Sequence, residues 1–283
     1  MFWQTSRYRI DLQRPRVMGI VNVTPDSFSD GGHHASAREA IAHAHRLLEE
    51  GADLLDIGGE STRPGAPALP LQEELDRVLP ILHEVVRWGV PISVDTYKPA
   101  VMQAALDAGA DIINDIWALR HQGAREVLAR HPSAGVCLMH MHGEPTTMQL
   151  SPMQGHIAEA VGQFLQAQSA ALQALGVAPQ RIVLDPGVGF GKTVAQNFEL
   201  LASQPLLLRL GHPLLVGWSR KSSLGAVTGC AVDARLVPSV AAAVLAIERG
   251  ARVVRVHDVA ATVQAIQVWA SATMPHNDRE SSP

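Results

Sequence analysis

Cysteine is scarce in this chain: Cys137 and Cys230 are the only two in 283 residues. That excludes a disulfide scaffold and fits a reducing compartment, and Cys137 falls in the apolar run 135–139, which reads as a buried strand. No apolar stretch reaches 18 residues, so no membrane span is expected. Met1 to Arg16 has no apolar run ahead of its basic residues, so it does not read as a secretory signal, and the cytoplasm is the expected address. There is no basic excess. Lys and Arg number 23 against 27 Asp and Glu, a net charge of -4, which argues against a nucleic-acid partner. Aromatic residues make up only 4%, too few for base-stacking platforms. Zinc spacing is missing as well: His33-His34, His43-x-His45 and the pair His140 and His142 lack a third convergent ligand. Two nucleotide motifs fail on inspection. A phosphate loop ending at Gly191-Lys192-Thr193 would need glycine where Pro186 stands, and glycines 187, 189 and 191 do not follow the dinucleotide spacing.

What is present is an alternation without internal repeats. Eight short runs, mostly apolar throughout, span 17–23, 54–58, 92–95, 111–116, 135–140, 181–185, 213–218 and 252–257. Such runs suit parallel strands buried on both faces. Helical patterns lie between them. Ala37, Ala40, Ile41, Ala44, Leu47 and Leu48 share one face, as do Leu71, Leu75, Val78, Leu79, Leu82 and Val86. Helices over 99–108 and 160–175 stop at Gly109 and Gly176, and weaker ones are expected over 123–130, 195–203, 239–248 and 259–270. The fold class is α/β. A doubly wound sheet and a closed (β/α)8 TIM barrel both satisfy the alternation, and the length suits the barrel. Polar residues at the end of every strand favour the barrel too: Asn22, Glu60 with Thr62, Asp95, Asn114 with Asp115, His140, Asp185, Ser219 with Lys221, and Arg255 with His257. One domain over 1–275 is expected, followed by a polar tail over 276–283.

The rim residues suggest a ligand. Lys221, Arg255 and His257 come from the last two strand–loop units, where barrels often hold phosphate. Arg255 and His257 are two apart, so a straight strand would point them the same way. Asp95, Asn114 and Asp185 supply acceptors and an amide suited to a flat heterocycle with several N–H donors. The plainer alternatives are ion pairs between these acids and Lys221 or Arg255, and a helix-cap contact for His257. The glycine-rich loop 185–193 reads as flexible backbone beside a ligand, with Phe190 as an apolar wall and Lys192 facing solvent. The loops 22–34 and 58–66 read as lids. A divalent ion, if used, would be Mg2+ held by substrate phosphates and one protein oxygen such as that of Asn22.

Eight motifs, in order, closely resemble those of the dihydropteroate synthases. They are Val17-Met-Gly-Ile-Val-Asn-Val-Thr-Pro-Asp-Ser-Phe-Ser-Asp-Gly-Gly32, Gly51-Ala-Asp-Leu-Leu-Asp-Ile-Gly-Gly-Glu-Ser-Thr-Arg-Pro-Gly65, Ser93-Val-Asp-Thr96, Ile113-Asn-Asp-Ile116, Leu138-Met-His-Met141, Asp185-Pro-Gly187, Ser219-Arg-Lys-Ser222 and Arg255-Val-His-Asp-Val259. The resemblance covers roughly residues 15 to 270. It implies that p-aminobenzoate displaces pyrophosphate from 6-hydroxymethyl-7,8-dihydropterin diphosphate to give 7,8-dihydropteroate, a step of folate synthesis and the target of sulfonamides. Under that resemblance Asp95, Asn114, Asp185 and Lys221 hold the pterin, and Met139 and Phe190 line its pocket. Arg255 stacks on the ring and reaches the diphosphate. Asn22 and His257 contact the diphosphate, with Mg2+ beside Asn22. Thr62, Arg63, Pro64, Phe28, Ser219 and Ser222 surround p-aminobenzoate, and Gly217 joins the substrate-binding set. Asp95, Lys221, Arg255 and His257 form the catalytic set, and a homodimer through barrel helices is implied. Trp117-Ala-Leu119, Val188 and Val237-Pro238 depart from the family pattern, which bears on local packing. Two rivals are a barrel that passes a methyl group to a corrinoid and a non-catalytic pterin-binding homologue. Neither requires the full set retained here.

Overall fold

A computed structural model describes residues 1–23, 32–61 and 65–273. Eight parallel strands form the barrel: β3 (Arg16–Asn22), β4 (Leu54–Gly58), β5 (Ile92–Asp95), β6 (Ile112–Asp115), β7 (Gly135–Met139), β8 (Ile182–Asp185), β9 (Leu215–Val216) and β10 (Val253–Val256). They pair in chain order, β10 returns to pair with β3, and a parallel bridge from Leu184 to Leu214 closes the ring between β8 and β9. Each of the eight expected runs contains one strand.

The helices outside are α1 (Gly32–Glu49), α2 (Leu71–Val85), α3 (Pro99–Asp107), α4 (Ala124–Arg130), α5 (Ala158–Gln173), α6 (Val194–Leu207), α7 (Ser222–Thr228), α8 (Leu236–Glu248) and α9 (Val259–Thr273). Local chemistry sets several starts. Pro99 opens α3, where its fixed φ is already helical and its missing N–H has no intrahelical partner to lose. Thr193 and Gln196 form a reciprocal capping box at the start of α6. Pro238 sits in the first turn of α8, so it breaks no helical hydrogen bond. The face of α2 is rotated from its expected setting. Val78, Ile81, Leu82 and Val85 are buried, while Leu71 is exposed and Glu74 is buried in its place. The reason is electrostatic: Glu74 accepts a hydrogen bond from Lys98 at 2.5 Å.

The sequence reading missed an N-terminal hairpin of β1 (Phe2–Gln4) and β2 (Arg9–Asp11). It closes the barrel end opposite the site. Trp3, fully buried, packs with Ile10 and Leu12 on Met18, Leu54, Ile112, Cys137, Val183, Leu215 and Val253. Its indole N–H donates to the Arg181 carbonyl at 2.9 Å. Both cysteines are free thiols, and Cys137 is buried. Among the described residues no helix is long and apolar enough to cross a membrane.

Candidate active site

Strand register levels the site. Asn22 pairs with Gly58, Gly58 with Asp95, and Asp95 with Asn114, so one row of residues crosses four strand ends. Gly58 keeps the row open. A Cβ there would sit 3.6 Å from the Asp95 Cβ and 3.8 Å from Asn22 Oδ1.

Arg255 reaches from β10, past the neighbouring β3, to meet this row. Its Nε donates to Asp56 Oδ2 at 2.5 Å and its Nη2 to Asp95 Oδ2 at 2.8 Å. Asn114 Nδ2 donates to the same Asp56 oxygen at 3.0 Å. Burial alone would lower the Arg255 pKa, but Asp56 and Asp95 reverse the shift and keep it charged. Burial pushes Asp95 up, against the pull of Arg255, and Asp56 pushes it further. Asp56 has no exposed surface, and the sequence reading passed over it. It lies mid-run in β4, not at a strand end, and a lone acid inside an apolar run was the available signal.

Asp185 and Lys221 form the opposite side. The Asp185 carboxylate accepts the Gly187 N–H at 2.7 Å. Burial raises its pKa, and that N–H, Lys221, Lys192 and Arg255 oppose the rise. Burial lowers Lys221, with Asp185 opposing and Arg255 reinforcing. The Lys221 ammonium lies 4.3 Å from the centre of the Phe190 ring, within cation–π range. The four residues expected to converge (Asp95, Asp185, Lys221 and Arg255) therefore share one electrostatic environment. Phe190 and Met139 are buried with Ile116, Met141 and Met148, and Tyr97 and Trp117 pack beside them. Trp117 fits because Asp115 accepts the backbone N–H groups of Trp117 and Leu119, at 2.8 and 2.7 Å. Those contacts hold Ala118 and Leu119 at φ 51° and 57°, an unusual pair of left-handed non-glycine residues.

Strand β10 ends at Val256, so His257 stands one residue beyond it, close enough for the Arg255 charge to act on its ring. Its backbone N–H donates to Ser219 Oγ at 3.1 Å, and that hydroxyl faces Nδ1 at 2.9 Å. Burial first, then Arg255 and Arg220, push the imidazole down to about 3, so the ring is neutral. Arg220, at φ 58°, is held by Asp258 at 2.6 Å and by Ser239 Oγ at 2.9 Å. Lys221 immediately precedes α7, which begins at an exposed Ser222. A Cβ on Gly217 would meet no atom within 4 Å, which leaves that side open.

Lys192 corrects the sequence reading. It is 2% exposed, not solvent-facing. Its Nζ donates to the carbonyls of Gly187 at 2.8 Å, Phe190 at 3.0 Å and His140 at 3.3 Å, and to His140 Nδ1 at 2.9 Å. The loop turns inward because glycines 187, 189 and 191 take positive φ, which brings the lysine under the strand ends. Thr62, Arg63, Pro64 and Phe28 lie outside the described residues, which omit 24–31 of the first expected lid and 62–64 of the second. The base of the second loop is anchored, since Glu60 accepts hydrogen bonds from Tyr97 at 2.8 Å and from Lys98. Among the described residues no three His, Cys, Asp or Glu groups converge as a metal site. A single amide oxygen at Asn22 fits an ion that takes most of its ligands from phosphates and water.

Fold and site define an α/β-barrel enzyme with a cluster of buried charged side chains at the strand C-termini. The chain belongs to the pterin binding enzyme family, whose model matches residues 18–257. It is 53% identical over 273 residues to the dihydropteroate synthase of Neisseria meningitidis serogroup B, covering 94% of this chain and 96% of that one. Dihydropteroate synthase of Xanthomonas albilineans, solved with 4-aminobenzoic acid, superposes with a TM-score of 0.91 at 49% identity, covering 97% of this chain and 100% of that one. The Burkholderia cenocepacia dihydropteroate synthase complexed with 7,8-dihydropteroate gives 0.89 at 49% identity, covering 98% of each chain.

Proposed function

We propose that this chain is a dihydropteroate synthase, a transferase that joins 6-hydroxymethyl-7,8-dihydropterin diphosphate to p-aminobenzoate and releases pyrophosphate. The observation that carries the reading is the floor in which Arg255 bridges Asp56 and Asp95 beside Asn114. It places acceptors for a 2-amino-pyrimidinone edge next to fixed cations for an anionic tail. The relatives named above support the same reaction.

Asp95, Asn114 and Asp185 take the polar edge of the pterin, while Met139 and Phe190 cover its apolar face. Lys221 adds a donor on the Asp185 side. Arg255 spans ring and diphosphate, and His257 offers Nε2 as a neutral donor to a phosphate oxygen. Asn22 would offer a protein oxygen to Mg2+, which when bound would neutralise charge on the diphosphate. The exocyclic methylene is conjugated to an electron-rich ring, so its bond to the diphosphate oxygen breaks ahead of attack. Arg255 and His257 stabilise the departing anion, and Asp95 and Asp185 stabilise the pterin cation. The aniline nitrogen then adds to the methylene and loses a proton. That step needs positioning more than a strong base. Phe28, Thr62, Arg63, Pro64, Gly217, Ser219 and Ser222 surround the benzoate, and sulfonamides compete there.

Residues 1–275 act as the one pterin-binding domain, in the cytoplasm. Exposed Leu236, Val237 and Leu245 on α8 and Val268 on α9 support a homodimer through these helices. The experiment is a coupled pyrophosphate assay. Release should require the pterin diphosphate, p-aminobenzoate and Mg2+ together. Release without the amine would mean hydrolysis and overturn the synthase assignment.

A further inference from the structure

The buried ammonium of Lys192 bonds to no side chain that the proposed reaction uses. Four acceptors surround its Nζ, and none of them is a carboxylate: three backbone carbonyls and His140 Nδ1. His140 is itself neutral, since burial and then the lysine charge push it down to about 2, so Nδ1 is able to present a lone pair to the lysine. The three carbonyls belong to two strand ends. His140 follows β7, while Gly187 and Phe190 lie in the loop after β8. The lysine thus ties together the turn that bears Asp185 at one end and Phe190 at the other.

The fit around this clasp is close. A Cβ on Gly187 would lie 1.8 Å from the His140 carbonyl oxygen, and one on Gly191 would lie 2.2 Å from that of His142. The turn is therefore pressed onto the end of β7. The same turn delivers the Gly187 N–H to Asp185 Oδ1 at 2.7 Å. It also sets the Phe190 ring beneath Lys221. Loss of the lysine would leave three inward-facing carbonyls without their donor.

We infer that Lys192 is a positioning residue for pterin recognition: as an ammonium it fixes the Asp185–Phe190 turn and supplies the buried counter-charge that keeps the Asp185 carboxylate ready to accept the N–H groups of the ring. This inference rests on the pterin reading above. Three carbonyls that can only accept face Nζ and match the three N–H groups of the charged amine, although burial pulls its pKa down to about 7. The titratable groups that act on Asp185 are Lys192 in its own loop, Lys221 before α7 and Arg255 on β10, and its charge in turn acts on Cys137 of β7. Lys192 is the member of this set with no path to substrate.

The test compares Lys192→Met with the unsubstituted enzyme by calorimetric titration of pterin diphosphate and by steady-state kinetics. Pterin affinity should fall roughly 10- to 100-fold, while the KM for p-aminobenzoate stays within about twofold. The acid limb of pterin binding should move to higher pH, because removing a cation raises the Asp185 pKa. A merely structural lysine would not move that limb. Pterin affinity within about twofold of the parent, or an unmoved limb, would overturn the inference. A second measurement needs no variant. With 13C-labelled lysine in the unsubstituted enzyme, pterin binding should raise the pH at which Lys192 titrates, by linkage. An unshifted titration counts against the inference as well. Failure of the unsubstituted enzyme to bind pterin would sink the pterin reading itself, which is a different result.

Discussion

Nε of Arg255 lies 2.5 Å from Oδ2 of Asp56, a carboxylate with no exposed surface on β4, two strands from β10. The same oxygen accepts Asn114 Nδ2 at 3.0 Å, so one acid orients two of the groups proposed to meet the substrate. Asp56→Ala should therefore lower stability by about 3 kcal/mol, because a buried cation loses a partner while the amide loses its acceptor. It should also reduce turnover as severely as Arg255→Ala. Urea unfolding and the pyrophosphate assay check both effects. Parental stability in Asp56→Ala would show that Asp95 alone can hold Arg255.

Lys221→Ala should act differently. The ammonium stands over the Phe190 ring and beside Asp185, at the mouth of the cup. Burial lowers its pKa, so removing it relieves a desolvated charge, and the melting temperature should change little. Turnover should drop sharply with the fold intact. Circular dichroism melts and steady-state kinetics separate the two. Near-parental turnover would remove Lys221 from the catalytic set.

Trp3→Ala tests the opposite end of the barrel. The side chain is wholly buried over the inward layer that includes Met18, Leu54 and Val253, and its indole N–H is bonded to Arg181. Truncation should cost about 3–5 kcal/mol. Activity per folded molecule should be unchanged below the unfolding transition, since the hairpin packs on Met18, Leu54, Cys137 and Val253, none of them a proposed site residue. A large change in KM at low temperature would mean that the plug is coupled to the site.

The barrel was legible because parallel strands covered on both faces must be apolar nearly throughout, and the eight runs show it. The hairpin was not, because strands of three residues carry too little pattern: only Trp3 and Ile10 mark their inner side. Rim residues were legible for a topological reason, since strand C-termini face one mouth. Asp56 escaped that argument by lying one layer deeper, within β4. Lys192 escaped it because glycine-rich sequence suggests a solvated loop, whereas positive φ at 187, 189 and 191 folds this one inward. The α2 face was misjudged by a fraction of a turn, because hydropathy ignores the pull of Lys98 on Glu74.

Gly187→Ala probes the same loop through shape alone. The backbone is at φ 69°, where a side chain is strained, and the new methyl would meet the His140 carbonyl. The turn must shift, and the Asp185 carboxylate shifts with it. The kcat/KM for the pterin substrate should fall roughly 100-fold. A crystal structure of the variant should show the displaced turn. Parental kinetics would mean that this close approach has no bearing on recognition.

His257 carries a pH signature that can be isolated by difference. Its folded pKa is held near 3, against an ordinary value of 6.5, by burial first and then by Arg255 and Arg220. Between these values the unfolded chain binds a proton that the folded chain does not. Stability therefore falls as pH drops from 6.5 towards 3, by at most about 1.4 kcal/mol per pH unit for this group. Asp115, raised to about 7 by burial, works in the opposite sense over an overlapping range, and so do Asp95 and Asp185. The whole-protein curve mixes these signs. The difference in unfolding free energy between the parent and His257→Asn removes the carboxylate contributions common to both. That difference should shrink steadily as the medium is acidified below 6.5. A difference that stays flat down to pH 4 would mean that the imidazole protonates in place, and His257 would then face the diphosphate as a cation and not as a neutral donor.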